Sequence, residues 1–204
     1  NKGSDPNDQS SINDIELYNT MSTNEYLGQK WAWVYMMSKR SNLALQVLEK
    51  VEGLKEDVAK MRKGELKFLR SLAYFEAMRV FGVHFPYIDE SRTENDPKTH
   101  NDKDIFSQVL ADVDDAIANL SDDPSVVVEI GRVNKSAAKA LKAKMLVWHG
   151  DLAEARPILE DVLTNGVTTQ GVPYGLEDDL DNNFNALTEN GKESIFAVQY
   201  SNAA

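Results

Sequence analysis

Tyr18, Tyr26, Trp31 and Trp33 stand close together near the start of the chain, and their type best suits a recognition chemistry. A pyranose ring has an apolar C–H face that stacks on aromatic rings, while its hydroxyls bond to Asn, Asp and Arg. Tyr18 and Tyr26 lie in a stretch too polar to build a core, which makes them the first candidates for a ligand contact. Trp31 is the third candidate. It falls in step with Val34, Tyr35, Ser38, Asn42, Leu45 and Leu48 at helical spacing, so core packing outweighs stacking at that position.

Residues suited to catalysis do not assemble into a site. There is no cysteine, which removes thiolate chemistry, disulfides and the usual structural zinc sites. His84, His100 and His149 are far apart, and no two share the i,i+4 spacing of a helical metal site. Asp178, Asp179 and Asp181 offer oxygen ligands of the kind calcium takes, but without the full loop pattern of a calcium hand. Glycosidases need two carboxylates at a set separation. With 33 acidic residues some pair meets that distance by chance in any fold, so the distance selects nothing. No Ser-His-Asp set or glycine-rich phosphate loop is present. The expectation is a binding module and not an enzyme, with no catalytic residue, metal or cofactor.

Charge narrows the partners. The formal net charge is -11, whereas a nucleic-acid surface needs Lys and Arg concentrated on one face. An acidic surface suits neutral ligands or basic partners instead. Hydrophobic residues make up 42% of the chain, enough for a real core, and no apolar run approaches the length of a membrane span.

Residues 1–23 are polar and loop-like, with one short helical turn expected around 12–18. Helices are expected over residues 24–51 and 56–80, separated at Gly53. The second carries two adjacent apolar rows, so it packs on more than one side. Within it, Gly64 permits a close helix contact at a cost of about 1 kcal/mol in propensity. Glu65 and Arg70 are expected to satisfy polar groups between helices. Residues 93–100 read as a linker. A third helix is expected from an N-cap at Asn101 to Leu120, with Asp112, Asp114 and Asp115 on its solvent side. Gly131 and Arg132 look like a turn into a fourth helix over 135–148, whose apolar row is Ala138, Leu141, Met145 and Trp148. A tight Gly150–Asp151 turn leads to a fifth helix ending near Thr164, with Leu152, Ala155, Leu159 and Val162 as its core row. Pro157 should bend that helix or delay its regular part. Residues 167–204 read as irregular, with a short strand at 195–200.

The small residues Ala137, Ala138, Ala143 and Ala155 around "HGDLAEA" carry the signature of a tetratricopeptide-like hairpin. One hairpin cannot bury its own apolar face and must stack on others. The fold class expected is therefore all-α: an α-α superhelix of stacked tetratricopeptide-like hairpins with loop excursions.

The order of local motifs is more specific than the periodicity. "KGELKFLRSLAYFEAMRVFGVHFPYI" (63–88) resembles the Gly-Glu…Phe-Leu-Arg…Tyr-Phe…Phe-Gly…Pro segment of the SusD/RagB family, outer-membrane nutrient-binding lipoproteins of gut and oral Bacteroidetes. "YMMSKRSN" (35–42) is similar to that family's Tyr-x-x-Ile-x-x-Ala-Asn helix. "GRVNKSAAKALKAKMLVWHGDLAEA" (131–155) resembles its Gly-Arg-x-x-Lys-x-Ala-Ala…Gly-Asp segment. "PYGL" (173–176), Phe184 and "KESIFAVQYS" (192–201) resemble its Tyr-x-Leu…Phe…Glu-x-Ile-Phe ending. Leu66, Ser71 and Pro157 depart from the family pattern.

The resemblance implies one helical repeat domain over 1–204, with a helical core at 24–166 and residues 167–204 entering a C-terminal lobe. Family members are longer, so the chain is expected to be incomplete at both ends, with the lipid anchor outside it. The resemblance further implies a surface-exposed protein of the cell outer membrane. Its partners would be an oligosaccharide or other nutrient and a SusC-like TonB-dependent transporter. A tetratricopeptide-type protein–protein adaptor without sugar binding is the alternative, and an α/α glycosidase a third class.

Overall fold

The computed structural model describes residues 10–92, 98–127 and 129–199. Six helices follow in order: α1 (Ser10–Glu16), α2 (Glu25–Leu48), α3 (Glu56–Phe81), α4 (Phe106–Asn119), α5 (Lys135–His149) and α6 (Leu152–Asn165). Beyond α6 the helical elements among the described residues are two short 3-10 turns, Leu180–Asn183 and Ala186–Thr188. From α2 to α6 each helix packs mainly against its neighbours in the chain, which is the stacking expected of a helical superhelix. Among the described residues no helix is long and apolar enough to cross a membrane.

Local chemistry sets the helix ends. The Asn24 side chain accepts a hydrogen bond from the Tyr26 N–H and donates to the Ser11 carbonyl at 2.7 Å, so one residue caps α2 and ties down α1. Asn134 repeats the arrangement at the other end of the array. It accepts from the Ala137 N–H and donates to the Val167 carbonyl at 2.7 Å, joining the start of α5 to the segment after α6. Gly150 adopts φ 104° after α5, and this left-handed turn lets α6 fold straight back.

The core runs through the middle of the stack. Phe68, Tyr74, Phe75 and Met78 of α3 meet Val109 and Val113 of α4, and Leu141, Met145 and Leu146 of α5 continue the cluster. The broad burial of α3 matches its two apolar rows. Gly64 has the role its sequence position suggests: a Cβ there would sit 2.8 Å from Leu120 Cγ, so the α3–α4 contact needs the missing side chain.

Several expectations require correction. The third long helix does not start at Asn101 but at Phe106. The Ile105 N–H donates to the Val83 carbonyl, a bridge pairs His84 with Asp104, and the Asp104 carboxylate accepts from the Phe106 N–H at 2.7 Å. Those contacts hold residues 104 and 105 beside the segment that follows α3 and set the helix start after them. Asp112 is not on the solvent side; it is 3% exposed. Pro157 does not delay α6, which starts at Leu152 and runs through it. Ala153, whose carbonyl loses its partner, is exposed on the outer face and can turn to water. Leu152 and Leu159 are 62% and 40% exposed, so they are not core. The buried row is instead Ala155 and Val162, with Ile158 partly buried between them, because among the described helices α6 packs mainly against α5. Residues 195–199 form no strand, and Tyr200 lies outside the described residues. Phe196 docks on Phe68 edge to face at 4.9 Å, so ring packing rather than a ladder holds that segment.

Candidate functional site

The three aromatic candidates do not converge on one cavity. Tyr18 follows α1 with φ 56° and is 97% exposed, so its ring is open to solvent. Tyr26 sits in the first turn of α2 and is half-buried. Trp31 has most of its surface covered, as its stripe suggested, but it is not sealed in the core: it is 37% exposed. Its indole covers an aromatic cluster, 5.0 Å from Tyr35, 5.2 Å from Phe81 and 5.7 Å from Phe85. The reason is position in the stack: α2 is the outermost long helix, so a side chain at the edge of its inner face closes the core and still meets water. Trp33 lies under the Lys30 ammonium, which also pairs with Glu76 of α3.

A second constellation is built on the polar positions of the α2 stripe. Tyr35, Ser38, Asn42 and Gln46 recur at steps of three and four, so they share one face. The Tyr35 hydroxyl donates to the Pro86 carbonyl at 2.7 Å. Ser38 and Asn42 both donate to the Ile88 carbonyl, and Gln46 donates to the Glu90 carbonyl at 2.7 Å. One helix face thus clamps the backbone that follows α3. Burial pushes the Tyr35 phenol well above its usual range, so it remains a donor at neutral pH.

Arg70 locks the clamp from beneath. It is 0% exposed. Its Nε and Nη2 donate to the two oxygens of Asp112, each at 2.6 Å, and its Nη1 donates to Asn42 Oδ1 and to Glu90. Lys67 reaches Glu90 at 2.9 Å and Asp112 at 3.2 Å, and the Tyr87 hydroxyl donates to Asp112 at 2.6 Å. Two cations face two carboxylates, and each charge is hydrogen-bonded, which a buried ionic cluster requires. Burial alone would raise the Glu90 carboxyl, but the bonds from Arg70 and Lys67 outweigh it and hold the group at about 2. This is a structural role for Arg70 of the kind the sequence implied.

The clamp leaves a cleft of about 500 Å³ between α2 and residues 88–92, with Tyr35, Asn42, Leu43 and Ile88 on its walls and Lys39 and Asp89 at its rim. Sequence reading missed it. The available signal was the run of polar side chains on an otherwise buried helix face, since such groups must find partners. The charged residues singled out in the sequence outside this cluster are paired or take part in caps. Glu65 bonds to Arg62 and Arg132, and Asp179 caps the Asp181 N–H while Asp178 pairs with Lys192. Among the described residues no group of three or more His, Asp or Glu is disposed to hold a metal ion.

Tyr35, Ser38 and Asn42 of the clamp, Arg70, Gly64 and the Asn134 cap all fall within the segments that resemble one family. The SusD-like family model described as "Starch-binding associating with outer membrane" matches residues 3–147. The chain belongs to the SusD-like family. Among solved structures, this SusD-like chain is similar to a laminarin-binding SusD-like protein, with 26% identity and a TM-score of 0.82 over 96% of the chain. It also resembles a SusD superfamily protein from Bacteroides vulgatus ATCC 8482, with 26% identity and a TM-score of 0.78 over 95% of the chain. Surface glycan-binding protein A from Bacteroides uniformis shares the fold, with 20% identity and a TM-score of 0.81 over 97% of the chain. The chain spans only 42%, 40% and 43% of the lengths of these three structures, respectively. A comparison with curated proteins returned no match. The helical superhelix expected from the sequence is therefore the SusD-like one.

Proposed function

We propose that this chain belongs to a cell-surface glycan-binding protein of the bacterial outer membrane. It captures oligosaccharide without cleaving it, for import by a TonB-dependent transporter. The observation that carries this reading is the likeness, at 26% identity over 96% of the chain, to a structure whose name states laminarin binding. The family description, starch binding in association with the outer membrane, supports the same ligand class and location.

Tyr18 and Tyr26 are the ligand contacts this reading favours. An almost fully exposed ring such as Tyr18 contributes little to packing, while it offers a flat apolar face to a sugar. Trp31, with a half-open indole fixed by three other rings, is a further stacking surface.

A protein partner has its own support. The outer face of α2 carries Trp33, Met36, Leu43 and Val47, which are 38%, 43%, 51% and 59% exposed and lie at steps of three, seven and four. Lys39 and Arg40 flank this stripe, and residues 26–48 contain no carboxylate, in a chain of net charge -11. An apolar row with a basic rim suits a protein surface, and the transporter is the partner assigned to it. The same stripe also favours the adaptor alternative, which differs in predicting no sugar binding.

Calorimetric titration with laminarihexaose and maltohexaose tests the reading. Binding that weakens in the Tyr18→Ala and Tyr26→Ala variants, with unchanged melting temperature and no released product after prolonged incubation, is the expected result. No binding of either oligosaccharide would favour the adaptor, and released product would make the chain an enzyme.

A further inference from the structure

The segment after α6 encloses a second cleft, about 400 Å³ in volume, whose walls include Asn182, Asn183, Phe184, Ser194 and Gln199. Roughly 300–1,000 Å³ is the usual range for small-ligand sites. The lining is unusual in this acidic chain. Asn182, Asn183, Asn185 and Asn190 supply four amides, and Glu189 is the one carboxylate.

The backbone around the cleft is held in one shape by its own bonds. Asp179 and Asn185 cap the two 3-10 turns through the Asp181 and Leu187 N–H groups. The Thr188 hydroxyl donates to the Asn182 carbonyl at 2.6 Å, closing one turn on the other. Glu193 accepts from the Glu177 N–H and from Asn183 Nδ2, both at 2.9 Å. Asn190, with φ 60°, exchanges two amide bonds with Gln199, each 3.1 Å. Gln199 in turn lies over Gly131, where a Cβ would fall 2.6 Å from its Cγ, so the cleft is anchored to the turn into α5.

These bonds leave certain groups uncommitted. The Asn182 amide and the Ser194 hydroxyl have no hydrogen-bond partner among the described residues, and Asn183 keeps its Oδ1. Beside them the Phe184 ring is 83% exposed. A planar amide can donate to one hydroxyl and accept from its neighbour, which matches the vicinal hydroxyls of a neutral sugar. An adjacent aromatic face matches the sugar's C–H face.

We infer that this asparagine-lined cleft is a binding site for one or two rings of a neutral oligosaccharide, with Phe184 as the stacking platform and Asn182 as the hydroxyl-bonding amide. The inference rests on the glycan-binding reading and adds to it a site separate from the aromatic start of α2. Neither Asn182 nor Phe184 bonds to the scaffold through its side chain, so replacing either leaves the fold intact.

The test titrates the whole chain with laminarihexaose and maltohexaose, comparing wild type with Asn182→Ala, Phe184→Ala and Tyr18→Ala, alongside thermal melts. The expected result is that Asn182→Ala and Phe184→Ala each weaken binding about fivefold or more, the scale of one hydrogen bond or one ring contact, at unchanged melting temperature. Binding that survives both substitutions but falls in Tyr18→Ala overturns this site and leaves the glycan reading standing. Failure of the wild-type chain to bind either oligosaccharide overturns both. Should Phe184→Ala lower the melting temperature, Asn182→Ala alone decides, because its side chain has no hydrogen bond to lose among the described residues.

Discussion

Arg70 and Asp112, 42 residues apart in the chain, meet fork to fork in the centre of the helical stack, with two parallel hydrogen bonds of 2.6 Å. Both side chains are almost wholly removed from water, 0% and 4% exposed. A buried pair of this kind contributes little net stability over an apolar pair, but losing one partner strands the other charge. Asp112→Ala should therefore destabilise the chain by about 3–5 kcal/mol. Asp114, two residues on and 49% exposed, pairs with Lys142, and Asp114→Ala should cost at most about 1 kcal/mol. Urea denaturation of the two variants checks the contrast.

The same network makes stability depend on acid. Glu90 has its carboxyl held at about 2 in the fold, below its ordinary value of 4.5. A depressed folded value means the stabilisation is fully present above 4.5 and is lost as pH falls from there through about 2. Unfolding free energy should decline across that window, and Glu90→Gln should flatten part of the decline while lowering stability at neutral pH. Denaturation at stepped pH reads the slope, and an identical slope in the variant would remove Glu90 from the account.

Two glycines in helices should respond in opposite directions. At Gly28 a Cβ would meet nothing within 4 Å, so Gly28→Ala should stabilise α2 by about 0.5–1 kcal/mol. At Gly64 it would meet Leu120 Cγ at 2.8 Å and the Leu120 backbone nitrogen at 3.2 Å. Overpacking costs about 1–3 kcal/mol, against about 1 kcal/mol gained in propensity, so Gly64→Ala should be net destabilising. Thermal melts of the two variants should move apart, upward for Gly28→Ala and downward for Gly64→Ala.

In the last hairpin, Leu141 is 6% exposed and Leu159 is 40% exposed. Leu141→Ala should cost about 2–5 kcal/mol by leaving a cavity in the core cluster. Leu159→Ala should cost less than about 1 kcal/mol, because much of its surface already meets water. Equal losses in chemical denaturation would restore Leu159 to the core.

Helix existence was readable along the chain because helices are local. Asn24 and Asn134 are good caps, Gly82 and Gly150 are good stops, and the 3.6-residue apolar repeat runs between them. The start of α4 was not readable. The sequence offered Asn101 as the cap, and the actual start was decided by Val83 and His84, which draw residues 104–105 into pairing. The candidate tyrosines could be named from their polar surroundings. The asparagine-lined cleft could not, because its walls come from two turns and a returning segment with no periodic signal.

The apolar period was sufficient by itself to predict a chain of helices, since a helix depends on neighbours a few residues away, and the SusD-like kind of superhelix was implied by the resemblance of the motifs and their order. Which faces become interior was decided only by the tertiary structure. The aspartates of α4 look alike in sequence, yet Asp112 is buried and Asp114 and Asp115 are half-exposed. A helical repeat shows which residues share a face, but it does not show which faces gain a neighbour. The partners that make a buried carboxylate tolerable, Lys67 and Arg70, lie on another helix and meet Asp112 only when the stack closes.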